Sequence, residues 1–594
     1  MEKIIRVEVI KDGRTTAFTM TAGESLRDSL PGISDTKDSE ADCSKTEMSD
    51  GVGPKEHHLE SSLRVSMPCG GLGICGKCKV RFAFGAPIPT PGEKKQLTPH
   101  EIDAGVRLFC RCRPTQDCAV EIGYGADERE MAAETADVSG DDATADSSGC
   151  HYGIAIDLGT TTIAAALVEV CGNKSRIAAS ASCVNSQRKY GADVISRIAA
   201  ATGSKETGSD LRNLVRNDIE NLMMKLTHNV HNITGNRTAA DLGIVIAGNT
   251  TMLHLLTGKD VSGLGVYPYT PVSLEQESIR WGKEPSDDAG EGKAFPFGRN
   301  LLQNAEVTLL PGISAFVGAD IVSGLYYIDG NSSQTSLFID LGTNGEMALL
   351  DRGRIKATST AAGPVFEAGG ISCGVASVPG AIAHVDIVKN GEKSESRSTY
   401  YYDIKSSPGT FRVRVSTIEN QPPIGLCGTG VMELVSELVR CGIVDETGLL
   451  AEEFFDRGFP VTEDGKVWLT QNDIRNVQMG KAAIASGIRT LLRKSPDPPE
   501  VVYIAGGFGS HIDTEKIHYL KMLPPEFEGR TVAVGNASLK GAIRYIEKQL
   551  SGEDSEENPG DPRNDLERIA RCAEVIELAA TDSFDEDYIE SMNF

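Results

Sequence analysis

The sequence predicts a small α+β domain at the N-terminus followed by a much larger α/β body. Three observations predict it. Residues 4–9 and 15–20 alternate apolar with polar or charged side chains and meet at Asp12-Gly13, the pattern of a β-hairpin. From about residue 150 onward, apolar strand-like runs alternate with helical patterns, the signature of α/β architecture. One apolar run with its turn occurs twice, as Ile154-Ala-Ile-Asp-Leu-Gly-Thr-Thr-Thr162 and as Phe338-Ile-Asp-Leu-Gly-Thr-Asn-Gly345, which points to two related subdomains.

In chain order, Gly23-Glu24-Ser25-Leu26 reads as the start of a short helix after the hairpin. Residues 31–62 turn polar and acidic with few apolar anchors, predicting a flexible insertion. Strands are expected over Lys79–Phe84 and Cys118–Ile122, closing a first domain at residues 1–125. Residues 126–149 hold eight acidic side chains and only Arg129 as a base, so they read as a linker, which as a random coil would span roughly 25–30 Å. A middle domain is expected over 150–330 and a C-terminal one over 331–594, with a second polar stretch from Gly552 to Arg568 separating off the last segment.

At 594 residues the chain exceeds what one core supports. Its formal net charge of −25, from 84 acidic against 59 basic side chains, repels phosphate backbones and argues against a nucleic-acid partner. The first residues lack a basic head before an apolar stretch, so no signal peptide is expected, and no run of 18 apolar residues suggests a membrane span. Fourteen cysteines without a secretory signal point away from a disulfide scaffold and towards a reducing cytoplasm with one metal or redox site.

That site is legible in Met67-Pro-Cys-Gly-Gly-Leu-Gly-Ile-Cys-Gly-Lys-Cys78. It places Cys69, Cys75 and Cys78 in a glycine-rich loop, where the backbone can wrap closely and aim N–H groups at cluster sulfurs. Cys110 or Cys112, in Arg107-Leu-Phe-Cys-Arg-Cys112, can supply a fourth thiolate. A structural Cys₄ zinc site is the rival, but zinc sites usually show two short cysteine pairs. Cys43, Cys118 and Cys150 lack such context and read as ordinary thiols, while Cys373 and Cys427, beside glycine turns, read as buried structural ones. The loop resembles that of the plant-type 2Fe–2S ferredoxin domain, a β-grasp fold, with five rather than four residues between its first two cysteines. In that family the distant ligand follows a short apolar pair, which selects Cys110 after Leu108-Phe109.

The repeated run suits a nucleotide. Gly159 lets the backbone approach a phosphate, Thr160, Thr161 and Thr162 can bind its oxygens, and Asp157 can face Mg²⁺, usually through water. Asp340, Gly342, Thr343 and Asn344 repeat that chemistry. A third apolar strand, Val501-Val-Tyr-Ile-Ala-Gly-Gly-Phe-Gly509, ends in Gly506 and Gly507, against which an adenine ring can lie. Gly248-Asn-Thr-Thr-Met252 and Gly425-Leu-Cys-Gly-Thr-Gly430 are further turns that fit the same cleft. Together these resemble the ASKHA superfamily of actin-like, duplicated RNase H-like folds, in which two phosphate motifs and an adenosine motif surround ATP.

The combination resembles the reductive activators of corrinoid-dependent methyltransferases, which carry a 2Fe–2S domain before an ASKHA body. The resemblance runs through Tyr152–Thr162, Asn185–Ile198, Ile244–Gly258, Leu310–Gly324, Leu337–Glu346 and Ala357–Ile382. It continues through Gln471–Leu491, Val502–Ile512, Val534–Ala542 and Phe584–Phe594; the insertion at 31–62 and the short acidic linker depart from it. It implies ATP-dependent return of an electron from a 2Fe–2S cluster to Co(II), with a corrinoid protein as partner and a ferredoxin, flavodoxin or reductase as donor, and it leaves a homodimer open. A plant-type cluster sits near about −400 mV, and each ~59 mV of one-electron deficit is a factor of ten, so ATP has work to do. The rivals are an activator of acyl-CoA dehydratase-type enzymes, for which Cys373 and Cys427 would have to hold a bridging cluster, and a small-molecule kinase with an electron-carrier appendage.

Overall fold

The computed structural model describes residues 3–11, 14–29, 78–97, 99–122, 150–172, 174–228, 242–281, 305–328, 334–389, 400–406, 409–495, 497–507, 512–551, 561–581 and 583–594. The insertion and the linker expected at 31–62 and 126–149 lie outside them. Two compact units emerge: residues 1–129 with 187–200, and residues 130–186 with 201–594.

In the first unit, β1 (Ile4–Lys11) and β2 (Arg14–Thr21) form the hairpin that the alternation predicts. With β3 (Lys79–Phe84), β4 (Val106–Leu108) and β5 (Cys118–Glu121) they make a five-stranded sheet in the order β2-β1-β5-β3-β4, β1 and β5 being parallel. Alternate residues Ile5, Val7 and Val9 face inward and pack with Val80, Phe82, Leu108 and Val120. The short helix is Leu26–Ser29, pinned by the buried Leu26.

The second unit is built on two six-stranded sheets. One combines β6 (Cys150–Leu158), β7 (Thr162–Cys171), β8 (Lys174–Val184), β9 (Leu242–Gly248), β10 (Glu277–Arg280) and β11 (Glu306–Leu309) in the order β10-β11-β9-β6-β7-β8. Further along come β12 (Ser336–Leu341), β13 (Gly345–Asp351) and β14 (Arg354–Thr360). Next, β15 (Ala381–Lys389), β16 (Tyr400–Ser406), β17 (Gly409–Thr417) and β18 (Gly425–Leu426) form a sheet of their own. After the small pair β19 (Phe459–Pro460) and β20 (Trp468–Leu469), the strands β21 (Val501–Ala505), β22 (Thr531–Gly535) and β23 (Ala573–Val575) complete the second large sheet, ordered β22-β21-β12-β13-β14-β23.

The sequence echo is thus an architectural one. In each large sheet an antiparallel meander, β6-β7-β8 or β12-β13-β14, is flanked by a strand parallel to its first member, β9 or β21. One core joins the sheets through Ala155, Val245, Phe338 and Ala348 and through helices Ala319–Tyr327 and Ala537–Leu550. These helices touch at Gly541, where an added Cβ would lie 1.9 Å from the Ser323 carbonyl oxygen.

Two expectations are corrected. The polar stretch to Arg568 is helical from Pro562 onward, in Pro562–Cys572: Asp561 accepts from Arg563 N at its start, Pro562 opens the first turn, and Leu566 and Ile569 bury one face. Cys150 is not a free thiol. It forms a disulfide with Cys171, because the two stand directly opposite in the antiparallel β6–β7 register with Cα atoms 4.3 Å apart. Cys118 is free and fully buried, as expected of an ordinary thiol. Among the described residues no helix is long and apolar enough to cross a membrane.

Candidate functional site

The first turn leaves β6 at Leu158 and enters β7 at Thr162. Gly159 N donates to Thr162 O at 3.1 Å, and a Cβ on Gly159 would sit 2.6 Å from that same oxygen, so glycine is required. Asn185, fully buried, clamps the turn from outside: its Nδ2 donates to Gly159 O at 2.9 Å and its backbone N to Thr161 O at 2.9 Å. Asp157 accepts from Asn536 Nδ2 and from Ser538 Oγ, both at 2.7 Å. Gly248, at the end of β9, lies beside Leu158, which brings the Gly248–Met252 turn to the same edge.

The second turn repeats this at β12–β13, with Gly342 N donating to Asn344 O at 3.0 Å. Antiparallel register sets Glu346 opposite Asp340, and the Asn344 side chain hydrogen-bonds Glu346. Gly506, with φ +99°, follows β21 directly beside Asp340: a Cβ there would meet Leu341 O at 2.4 Å and Asp340 Oδ1 at 2.9 Å. Next to it, a Cβ on Gly507 would meet nothing within 4 Å, leaving a bare backbone surface. The Gly425–Gly430 turn starts the helix Gly428–Arg440, and Gly428 packs against the Phe366 carbonyl.

Three acidic side chains absent from the sequence expectations complete the cluster. Asp320 lies in the first turn of helix Ala319–Tyr327, its Oδ1 accepting from Ile321 N at 2.9 Å. Glu346 comes from β13, and Glu367 ends the short turn Pro364–Glu367. Burial pushes Asp340 up to about 8, aided by repulsion from Asp320, Asp157 and Glu367. Asp320 and Glu346 are raised by burial first and by neighbouring carboxylates second; Asp157 is raised by burial against its hydrogen bonds from Ser538 and Asn536. Among the described residues no three of these carboxylates bring ligand oxygens within 4.8 Å of one another, so a hard dication such as Mg²⁺ would be held here by one or two of them with water completing its shell, as that ion commonly is.

In the first unit, Cys69 and Cys75 lie outside the described residues. Cys78 and Cys110 are side by side, Sγ to Sγ 3.3 Å, close enough to bind one metal centre. Phe109 N donates to Cys78 O at 2.7 Å, and buried Glu93 holds the approach to Cys110 by accepting from Leu108 N at 2.9 Å. Cys112 instead belongs to the core and donates to Leu108 O at 3.3 Å; burial first, then the Glu93 carboxylate, pushes its thiol up. Two adjacent thiols fit an iron–sulfur centre. Cys427 is buried as expected, but Cys373 is only half-buried: its carbonyl is taken by Leu426 N while its Sγ reaches Lys466 O.

Asp157 and Asp340 were legible as strand-end acids before a glycine turn. Asn185, Asp320, Glu367, Asn536 and Ser538 were not, since each comes from another element. The register of a short hairpin could have found Glu346, and an Asn before Ala-Ser-Leu is a helix-start signal that marks Asn536.

Residues 152–332 match the RACo middle region, and residues 334–594 match the C-terminal domain of RACo, the ASKHA domain. The corrinoid activation enzyme RamQ of Eubacterium limosum is 28% identical over 470 residues, 75% of this chain and 70% of its own. The [Co(II) methylated amine-specific corrinoid protein] reductase of Methanosarcina barkeri is 29% identical over 282 residues, 43% of this chain and 48% of its own. A solved reductive activator for corrinoid, iron–sulfur protein shares the fold, with a TM-score of 0.59 and 24% identity over 99% of this chain and 98% of that one. Two consecutive domain models of one family take in most of the chain, and the protein belongs to the RACo family of reductive corrinoid activators.

Proposed function

We propose that this protein uses ATP to return an electron to the Co(II) of a corrinoid protein, regenerating Co(I) for a methyltransferase system. The observation that carries it is the carboxylate cluster between two duplicated phosphate turns, in a chain of this family with a thiol pair in its N-terminal unit. When bound, a 2Fe–2S cluster would supply the one-electron carrier, and Mg²⁺ would neutralise phosphate charge.

Cys69, Cys75, Cys78 and Cys110 would hold the cluster in a ferredoxin-like unit. Gly159, Thr160, Thr161 and Thr162 would cradle phosphate from one side and Gly342, Thr343 and Asn344 from the other. Asp157 and Asp340 would flank the terminal phosphate and its ion, and Gly506 and Gly507 would border the adenosine. Nucleotide-dependent closure of the two halves would let the body favour one cobalt state over the other. A cytoplasmic setting with a low-potential ferredoxin, flavodoxin or reductase as donor completes the reading.

The test is a cobalt spectrum. Reduced protein is mixed with Co(II) corrinoid proteins with and without ATP, using wild type, Cys75→Ser, Asp340→Ala and the two variants together. Wild type should form Co(I) only with ATP, and neither variant should do so alone. Reduction by Asp340→Ala at the wild-type rate would uncouple nucleotide from electron transfer. Activation of an acyl-CoA dehydratase without any corrinoid reduction would favour the rival activator class.

A further inference from the structure

Thr161 lies in the first turn and Thr343 in the second, and both donate to one oxygen. Thr161 Oγ1 reaches Glu367 Oε2 at 3.0 Å and Thr343 Oγ1 reaches the same atom at 2.8 Å. A hydroxyl has a single proton to give, so while Glu367 accepts both, neither threonine can donate to a phosphate oxygen. The carboxylate therefore occupies the position that an anionic oxygen shared by the two turns would take.

The backbone beneath Glu367 is firmly held. Val365 and Phe366 are buried, and Ala368 closes the turn in the left-handed region at φ +59°, its N donating to Val365 O. Gly428 at the start of one helix and Gly480 within another let this turn approach: a Cβ on Gly428 would lie 1.7 Å from Phe366 O, and one on Gly480 would lie 2.5 Å from Val365 Cγ1. With the main chain fixed, the freedom to leave the two hydroxyls belongs to the half-buried Glu367 side chain.

We propose that the Glu367 carboxylate is an internal stand-in for the terminal phosphate, linking the two turns until a nucleoside triphosphate displaces it; this rests on the nucleotide reading above. A triphosphate must break the Glu367 contacts to gain both hydroxyls, whereas a diphosphate leaves them in place. Glu367 then distinguishes ATP from ADP, and its release tells the helices Gly428–Arg440 and Gln471–Leu492, which pack on its turn, that the terminal phosphate is present.

The experiment measures affinities of the full chain for a non-hydrolysable ATP analogue and for ADP, both with Mg²⁺, in wild type, Glu367→Ala and Glu367→Gln. Removing the competitor should tighten the ATP analogue by roughly tenfold in Glu367→Ala, since charged hydrogen bonds no longer have to be broken, and leave ADP within about twofold. Glu367→Gln, which keeps the shape but not the charge, should shift the ratio in the same direction and decides the matter if the alanine variant misfolds. In a Thr161→Ala/Thr343→Ala background, Glu367→Ala should no longer change the ratio. Equal shifts for both nucleotides, weaker binding of the analogue, or a shift that persists without the threonines overturns the stand-in. Wild type that binds neither nucleotide overturns the nucleotide reading itself, whereas wild type that binds both with an unchanged ratio in the variants overturns only the role of Glu367.

Discussion

Asn536 donates its side-chain amide to Asp157 across 2.7 Å, although 379 residues separate them in sequence. Its other side-chain atom, Oδ1, accepts from Leu539 N at 2.8 Å and so caps the helix Ala537–Leu550. One residue thus starts a helix and orients the acid that precedes the first glycine turn. Asn536→Ala should cost about 1 kcal/mol of stability through the lost cap and reduce ATP hydrolysis by freeing Asp157. Asn536→Asp should keep the cap but set a carboxylate against Asp157, so ATP hydrolysis should fall further than melting temperature does. Unchanged ATPase rates in both variants would remove Asp157 from the nucleotide site.

Gly541 faces the Ser323 carbonyl so closely that a methyl group has no room, at 1.9 Å. Beside it, Ser323 Oγ donates to Ser538 O at 2.7 Å, joining the helix that carries Asp320 to the one capped by Asn536. Gly541→Ala should therefore destabilise the body by about 1–3 kcal/mol through forced overpacking, with a lower thermal midpoint. It should also weaken Mg²⁺-nucleotide affinity, because Asp320 moves with its helix. A variant with wild-type midpoint and affinity would show that the two helices can part freely.

What the sequence made legible were features written within one stretch of chain. An apolar strand, an acid and a glycine turn are local, so Asp157 and Asp340 stood out, and their repetition pointed to two related subdomains without giving the meanders β6-β7-β8 and β12-β13-β14 in which the two copies lie. What stayed hidden depends on distant approach. Asp320 and Glu367 are ordinary acids until Gly318 packs on Asn249 and Gly428 packs on Phe366, which brings their segments to the turns. The helix Pro562–Cys572 was obscured by its polar surface: two buried side chains, Leu566 and Ile569, carry its apolar face. The Cys150–Cys171 pairing needed the β6–β7 register rather than a cysteine count.

The raised carboxyl of Asp340 sets a pH dependence. Its folded value, about 8, lies above the unfolded value near ~3.9, so between these limits the folded state binds the extra proton. Stability from this group is fully present below about pH 4 and is lost as pH rises through about 8. Without nucleotide or divalent ion, the wild-type body should lose thermal stability from pH 5 to 8, and Asp340→Asn should flatten that slope. Mg²⁺ with nucleotide should reverse the loss and release protons, measurable as a binding enthalpy at pH 7 that varies with the ionisation enthalpy of the buffer. A buffer-independent enthalpy would mean that the cluster is already ionised.

The choice between Cys110 and Cys112 as fourth cluster ligand can be decided by substitution. Cluster ligands are thiolates, and a ligand must reach the same centre as Cys78. Cys110 Sγ is 3.3 Å from Cys78 Sγ, on the turn Phe109–Arg111 that the Phe109–Cys78 backbone bond holds in place. Cys112 is 1% exposed, its Sγ donates to Leu108 O, and burial opposes its ionisation. Cys110→Ser should therefore lose or distort the cluster, whereas Cys112→Ser should retain about two irons and two sulfides per chain after anaerobic purification. A serine at 112 can still donate to Leu108 O, so folding should survive. Both variants should hydrolyse ATP at the wild-type rate in the absence of a corrinoid protein, since Asp157 and Asp340 belong to the other compact unit. Loss of the cluster in Cys112→Ser alone would transfer the ligand to Cys112, and stoichiometric zinc without sulfide in the wild type would replace the iron–sulfur centre with a structural metal site.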